Sequence, residues 1–582
     1  MSPTEPTPSI PDPAASDARE PFRHKWWGWG AEGARFDIEN RPRLWPWILS
    51  LDNQTDEIPA RLPEPDRASI RLRSPRDTDA FRTALADVLP EGRLTGDEDE
   101  RLRHAFGRSF RDLVRLRTGD VPHPPDLVAF PESTEEVEAL VAAAVAHDVV
   151  LIPFGGGTNI VGCVEPDAEV RPVVTVDMTR MNRLVELDER SGLAVLETGM
   201  FGPQVEAALR ARGFTLGHHP DSFVYSTLGG WIATRSAGTQ SNEYGKIEDM
   251  VVGLDVVTPT GRLRVKPLPA ASNGPDLKRL LTGSEGTMGI ITRATMRVHP
   301  IPEVEDYRLI LFPSFRDGVQ ALHGCVREGV MPSLARLSDE RETEFIAHSR
   351  PVATGLERWL QKPVKAWLGL RGYDRPALMI LGIEGPRRRA EHLRHSVLRI
   401  LREHGGLDLG RKGGEAWKES RYDVPYLRDY LLDYGFIGDS FESATSWGRL
   451  EELHARVVPA VEAACQEVTG RPAYVGAHVS HLYETGACLY LTVGAHSGRG
   501  YEHLEAEYDA IKAAATRIFV EEGAALSHHH AVGYEHGPWL GAELSEPGVR
   551  LVDAAVSSLD PGGHLAPWNL GPTARQGRSG SP

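Results

Sequence analysis

The stretch Leu151-Ile152-Pro153-Phe154-Gly155-Gly156-Gly157-Thr158-Asn159-Ile160-Val161-Gly162 constrains the fold more than any other. It follows an apolar run, Val149 to Ile152, that predicts a buried strand, and three glycines then remove every Cβ from a tight loop. Bare backbone approaches a phosphate closely, and consecutive N–H groups can converge on one anion. Thr158 and Asn159 add side-chain donors at the loop's end. The spacing is not a Rossmann fingerprint, because no third glycine falls at the required place, and no Gly-Lys-Ser/Thr marks a P-loop. Alone, the triple glycine reads equally well as a plain tight turn. Its company further along the chain favours the anion loop.

A chain of 582 residues exceeds one hydrophobic core, so two or more domains are expected. The balance of 41% hydrophobic and 25% charged residues is that of a soluble globular protein, and the net charge of −17 opposes a nucleic-acid partner, which needs a basic footprint. No apolar run approaches the ~20 residues of a membrane span, and the N-terminus carries no signal-peptide core. Cys163, Cys325, Cys465 and Cys488 lie far apart without a CxxC pair, which fits a reducing cytoplasm.

Met1 to about Arg19 is rich in Pro, Ser, Ala and Asp and predicts a disordered tail, as does the stretch from Thr573. Trp26, Trp27 and Trp29 crowd one Gly-punctuated segment, whose simplest reading is an arm clamped onto the main body. Glu98 to Arg117 predicts a helix, and Pro122-His123-Pro124-Pro125 breaks the chain into a new domain. Leu127 to Phe130 then reads as a strand, and Ser133 with Glu136 as a capping box opening a helix to about His147. The glycine loop thus closes a β-α-β unit. Val173–Val176 and the pair Leu184–Leu187 and Leu193–Glu197 extend the sheet, and a helix from about Pro203 ends at Gly213.

Two further small-residue stretches follow. The first runs from His218-His219-Pro220-Asp221-Ser222-Phe223 through Ser226-Thr227-Leu228-Gly229-Gly230-Trp231 to Thr234-Arg235-Ser236-Ala237-Gly238. The second, Gly283-Ser284-Glu285-Gly286-Thr287-Met288-Gly289-Ile290-Ile291, feeds a strand ending near Pro300. Between them, Asp249–Val257 and Leu263–Val265 read as a hairpin around Pro259-Thr260-Gly261. Such density lets a large planar or phosphorylated ligand lie against the backbone.

Together the three motifs resemble the flavin-binding domain of the vanillyl-alcohol oxidase/p-cresol methylhydroxylase superfamily. The resemblance covers about Pro122 to Pro302. It implies FAD, with Pro153, Phe154, Gly155, Gly156, Gly157, Thr158 and Asn159 as the pyrophosphate loop. Asp221, Ser222, Ser226, Thr227, Thr234, Arg235, Ser236 and Ala237, together with Glu285, Gly286, Thr287, Gly289, Ile290 and Ile291, would complete the cofactor site. The first loop lacks the histidine that often attaches the flavin there, so non-covalent FAD is expected.

Within that superfamily the chain is most similar to the alkyldihydroxyacetonephosphate synthases. Tyr244-Gly245-Lys246-Ile247-Glu248-Asp249 carries this likeness inside the flavin domain. Outside it, Trp27-Gly28-Trp29-Gly30, Arg336-Leu337-Ser338-Asp339, Tyr426-Leu427-Arg428-Asp429, Gly486-Ala487-Cys488-Leu489-Tyr490 and Ser527-His528-His529-His530 do so. The family implies that His528, His529 and His530 are required for activity, that Tyr490 is an acid/base, and that Arg336 and Arg428 hold the substrate.

The residue chemistry is compatible with those roles. Imidazole shuttles protons at neutral pH. A zinc site is not expected, because three adjacent imidazoles cannot all face one metal and no carboxylate or thiolate is spaced with them in sequence. In the strand read from Gly486 to Thr492, Cys488, Tyr490 and Thr492 share one face. Tyr483, nearby, lies outside the matched motif. Guanidinium forks suit phosphate and carboxylate, although a lone arginine is usually a solvated one. One departure stands after the trio: the family continues with Gly and basic residues, whereas here Ala531-Val532-Gly533-Tyr534-Glu535 follows.

The expectation is therefore an α/β, two-subdomain p-cresol methylhydroxylase-type FAD domain over 122–302 and an α+β substrate domain over 303–527. A helical arm over 21–121, a C-terminal active-site segment over 528–572 and tails over 1–20 and 573–582 complete the chain. The resemblance implies exchange of the acyl group of acyl-dihydroxyacetone phosphate for a fatty alcohol without net redox, the flavin carrying the dihydroxyacetone phosphate. An FAD-dependent dehydrogenase or oxidase of a 2-hydroxy acid or lipid alcohol, and a catalytically silent flavin-binding scaffold, remain as alternatives. The apolar, locally basic segment 356–368 reads as a buried helix or lid, with docking at a membrane interface as the other reading. The chain is expected in the cytoplasm, with a homodimer left open.

Overall fold

The computed structural model describes residues 22–51, 57–90, 92–167, 169–350 and 367–570. The two expected tails lie outside these residues, as does the segment 356–368 apart from Trp367 and Leu368.

The first small sheet is built from β1 (Leu94–Thr95), β2 (Leu127–Ala129), β3 (Val150–Phe154) and β4 (Val173–Asp177), in the order β1-β2-β4-β3. β2 and β3 both run parallel to β4, with Leu127 opposite Val174 and Val150 opposite Val173. A helix over Thr134–Ala146 makes the crossover from β2 to β3. Strands covered on both faces read as largely apolar runs, and β4, Val-Val-Thr-Val-Asp, is buried throughout. The Ser133 hydroxyl caps the crossover helix by accepting from Glu136 N at 3.2 Å. The expected box is only half made, because the Glu136 carboxylate takes Glu132 N and Arg93 instead.

The second sheet is antiparallel and holds β5 (Leu184–Asp188), β6 (Leu193–Glu197), β8 (Val251–Thr258), β9 (Gly261–Val265) and β10 (Ile290–Arg297), in the order β5-β6-β10-β8-β9. The short strands β7 (Phe214–Thr215) and β11 (His299–Pro300) pair beside it. The strand expected from Asp249 starts later, since Ile247–Met250 forms a helical turn.

Beyond Pro300 the chain builds β12 (Val304–Phe312), β13 (Leu334–Ser338), β14 (Ala377–Gly385), β15 (Leu407–Asp408), β16 (Phe436–Ser446), β17 (Tyr474–Leu482) and β18 (Gly486–His496). Their order is β15-β12-β14-β13-β17-β18-β16. Helices over Phe315–Arg327, Arg387–Glu403, Trp447–Thr469 and Tyr501–Glu521 cover one face and close an extended apolar core around Met379, Phe441, Val475 and Leu489.

The helix predicted over 98–117 is two, Glu98–Arg103 and Phe110–Thr118. The break has a steric cause: a Cβ on Gly107 would meet Asn159 O at 2.5 Å, and Arg108 N donates to that oxygen at 2.7 Å. The chain must leave helical geometry to lie against the glycine loop. Ser109 and Asp112 then cap the second helix reciprocally.

Described residues between 22 and 121 pack against both units. Phe81 and Leu85 enter the core around β2 and β4, whereas Phe110 stacks on Tyr508 of the substrate unit at 4.8 Å. Trp29 is buried against Tyr225, and Trp27 lies under Lys25 and Arg117. After the histidines, helices over Gly533–His536 and Leu540–Leu559 lead back to the first sheet. There Leu151 N donates to His564 O at 2.7 Å and Ala566 N to Leu151 O at 3.0 Å.

Candidate functional site

A cavity of about 440 Å³ lies where the two units meet, and all three small-residue stretches open onto it. The glycine loop leaves β3 and turns at Gly157, whose φ is +65°. Among the described residues, no protein acceptor takes the N–H groups of Gly156, Gly157, Thr158, Asn159 or Ile160. Five successive unspent donors beside a cavity suit the pyrophosphate of FAD. Asn159 holds the loop's exit, its Oδ1 accepting from Val161 N and Cys163 N.

Of the positions implied by the resemblance, Pro153 to Asn159, Asp221, Ser222, Ser226, Thr227, Thr234, Ser236, Ala237, Glu285, Gly286, Gly289, Ile290 and Ile291 line this cavity. Arg235 does not, which is a correction: as a left-handed helix cap (φ +53°) it turns outward to Glu248 at 3.1 Å. Thr287 is also outside, its hydroxyl donated to Ser284 O at 2.7 Å within the turn. Glu285 borders the cavity but spends its carboxylate elsewhere. It accepts from Val532 N at 2.7 Å, Gly533 N at 2.9 Å and the Cys163 thiol at 3.2 Å, so the flavin-side loop grips the segment after the histidines. Burial raises the Glu285 carboxyl, and those donors oppose it.

Opposite, β18 presents Tyr490 and Thr492 to the cavity, as alternation requires. The Tyr490 ring stacks on His478 at 4.7 Å and on His529 at 5.8 Å, and meets His530 edge-on at 5.6 Å. Its hydroxyl donates to Ser440 Oγ at 2.7 Å. Burial raises this phenol, so it rests protonated. His529 and His530 line the cavity; His528 does not. The His528 ring is taken up behind them, with Nε2 on the Tyr483 hydroxyl and Nδ1 on His529 Nδ1 at 2.8 Å. Tyr483, set outside the motif by sequence, therefore ends a hydrogen-bonded line that reaches the cavity through His528 and His529.

Burial lowers His529 to about 3 and His530 to about 4, partly offset by Glu442. Both therefore rest neutral near pH 7. Glu442 is a residue that sequence reasoning missed. It sits on β16 directly opposite Tyr490 and receives the backbone N–H of all three histidines.

The fold also overturns one sequence expectation: a thiol does stand with the trio. The β17–β18 hairpin brings His481 and Cys488 to within 4.8 Å of His528 and His529. Both ring nitrogens of His481 are engaged, with Ser480 Oγ at 2.8 Å and Gly238 O at 3.0 Å, as are both of His528. Burial pushes the Cys488 thiol well up. The group is a hydrogen-bonded cluster of neutral side chains.

Among the described lining residues, Arg336 and Arg428 are the permanent cations. Arg336 donates to Glu342 at 3.0 Å, and Arg428 donates to Arg108 O at 2.8 Å with Asp439 at 3.6 Å. Their Nε atoms are buried without a protein partner. Part of the cavity wall is apolar, where Trp47, Ile48, Leu51, Phe345, Leu427 and Leu431 cluster together. Such a wall suits an alkyl chain. Its one sequence signal was the apolar run Leu44-Trp45-Pro46-Trp47-Ile48-Leu49, which carries no chemistry of its own.

The family profile described as "FAD binding domain" matches residues 125–265, and that described as "FAD linked oxidases, C-terminal domain" matches residues 301–570. The chain is 38% identical over 531 residues to the alkyldihydroxyacetonephosphate synthase of Dictyostelium discoideum, covering 90% of this chain and 86% of that protein. A solved alkyldihydroxyacetonephosphate synthase superposes with a TM-score of 0.81 at 33% identity, over 94% of this chain and 97% of that one. The p-cresol methylhydroxylase structure shares the fold, with a TM-score of 0.63 at 15% identity over 84% of this chain and 95% of that one. With that identity held over nine tenths of its length, the chain belongs to the alkyldihydroxyacetonephosphate synthase family.

Proposed function

We propose that this protein is an FAD-dependent alkylglycerone-phosphate synthase, exchanging the acyl group of an acyl-dihydroxyacetone phosphate for a fatty alcohol without net redox. The observation that carries this reading is a single cavity joining an anion loop, a neutral imidazole–phenol cluster, two arginines and an apolar wall. In the exchange the alcohol loses its hydroxyl proton, its oxygen bonds to the carbon that bore the ester, and the acyl group leaves as a carboxylate. When bound, FAD supplies the reactive ring on which this exchange is run.

The chain's residues divide the remaining work. Pro153 to Asn159, with Ser226, Thr227 and Gly286, hold the cofactor without a covalent bond. Arg336 and Arg428 hold the polar head through the N–H groups left over from Glu342 and Asp439. His529 and His530, resting neutral, accept a proton from a substrate carbon or hydroxyl, and the protonated Tyr490 donates one. The apolar wall takes the chain and excludes water from the proton transfers. The same reading takes the enzyme as cytoplasmic and peripheral at the membrane through the 356–368 segment, whose described Trp367 is exposed.

The deciding assay incubates the purified yellow protein with palmitoyl-dihydroxyacetone phosphate and labelled hexadecanol. Labelled ether product is expected. No ether product, together with flavin bleaching by a 2-hydroxy acid in the absence of alcohol, would favour the dehydrogenase alternative.

A further inference from the structure

Glu442 is fully buried behind the histidines and has no lysine or arginine partner among the described residues. Its Oε1 accepts from Ser527 Oγ at 2.7 Å, His530 N at 3.0 Å and His529 N at 3.1 Å. Its Oε2 accepts from His528 N at 2.7 Å. Every donor is neutral. Its own titratable neighbours are the imidazoles, with His529 Nδ1 at 3.7 Å from Oε2 and His530 Nδ1 at 3.6 Å from Oε1, while the buried Lys246 ammonium nearby is turned to His528 O and Glu248. The protein thus keeps a buried anion whose direct ion-pair partner forms only when one of these rings is protonated.

A buried charge is costly unless it is paired. Here the pair is completed by the proton transfer itself, so the carboxylate favours the protonated ring over the resting one. The same oxygens also fix the backbone of the trio and thereby the ring directions. Register sets the geometry: Glu442 and Tyr490 are directly opposed on β16 and β18 and project to the same face. The phenol and the carboxylate therefore bracket the histidines, one on the cavity side and one behind.

We propose that Glu442 is a positioning residue for the proton-transfer step, holding His528–His530 in place and stabilising the imidazolium that His529 or His530 forms during turnover. The proposal rests on the histidines moving protons in the exchange reaction, as read above. A carboxylate that orients an imidazole and matches its charge is a recurring arrangement in acid–base sites.

The test uses the full-length holoenzyme and the ether-forming assay. Glu442→Gln keeps the shape and removes the charge, whereas Glu442→Asp keeps the charge and retracts it. At equal FAD content, measured by flavin absorbance, kcat is expected to rank Glu above Asp above Gln, with Gln down about 10²-fold and KM little changed. Gln equal to or faster than Asp would show that shape rather than charge matters, and would overturn the proposal. So would a Gln variant that fails to bind FAD, because the residue would then be structural. In a His529→Ala,His530→Ala background, Glu442→Gln is expected to cost nothing further; an undiminished loss there would also overturn it. If the double histidine variant itself turned over at the normal rate, the histidine reading would fail. Full activity of Glu442→Gln beside inactive histidine variants would sink the Glu442 inference alone.

Discussion

Tyr490 lies between two imidazoles with its hydroxyl committed to Ser440, and each of these contacts survives without the oxygen except the last. Tyr490→Phe is therefore expected to keep fold and flavin and lose its proton donor. The loss should be on the order of 10²-fold in kcat with smaller changes in KM. Normal turnover by that variant would remove Tyr490 from the chemistry. Tyr483→Phe acts at the far end of the line through His528, one ring removed from the cavity, so its loss should be smaller, about tenfold. Arg428→Ala should raise KM for the phosphorylated substrate more than it lowers kcat, since Arg428 binds and does not react; an unchanged KM would point to a non-phosphorylated substrate. At this scale the sequence revealed the residues whose chemistry is rare or clustered, such as the histidine trio, and gave the face of Tyr490 through simple alternation. It could not reveal Glu442, one acid in a strand, because the only thing that marks it is what folds onto it from 86 residues away.

The glycine loop shows how an element's demands differ from its apparent purpose. A Cβ on Gly156 would stand 1.6 Å from Tyr225 O, and one on Gly155 would stand 2.1 Å from Thr227 Oγ1. These glycines are required because a second stretch of backbone, Tyr225 to Thr227, is pressed against the loop. Gly156→Val should abolish FAD loading by driving those two segments apart; the check is flavin absorbance per chain after purification, and a fully loaded variant would contradict it. The expected non-covalent attachment is tested by acid precipitation: the flavin should be released to the supernatant, and colour held in the washed pellet would refute it. Element reading from sequence worked for β3, its crossover helix and β18, where local pattern and packing agree. It failed at 98–117, where a helical pattern is interrupted to let Gly107 reach Asn159, and at Arg235 and Thr287, whose side chains a linear motif cannot aim.

Across the whole molecule, the buried histidines make stability depend on pH. His218, His481, His529 and His536 are lowered to about 3 and His530 to about 4, in each case chiefly by burial. Unfolded, these rings titrate near 6.5, so below that pH the unfolded chain binds protons that the native chain refuses, and stability falls as pH falls. Each such ring contributes about 1.4 kcal/mol per pH unit over that range. The Tm of the holoprotein should drop between pH 7.5 and 5.5, and an unchanged Tm would show that these rings are protonated in the native state. The three small-residue stretches were legible from motif order, because each is local. The packing of Phe81 and Phe110 into different cores was not, since it depends on which core has room for each.

The return of the chain to β3 has a consequence for how the protein is made. Leu565 bridges to Leu151 just before the glycine loop, and Asn569 donates to both Cys163 O and Glu285 O, joining the first and third cofactor stretches from behind. More than 400 residues separate Asn569 from Cys163 along the chain. A ribosome that has released the flavin-binding sequence has therefore not yet released the residues that brace it. Full-strength cofactor capture must wait until translation has passed Asn569, and nascent chains stalled before that point should emerge colourless.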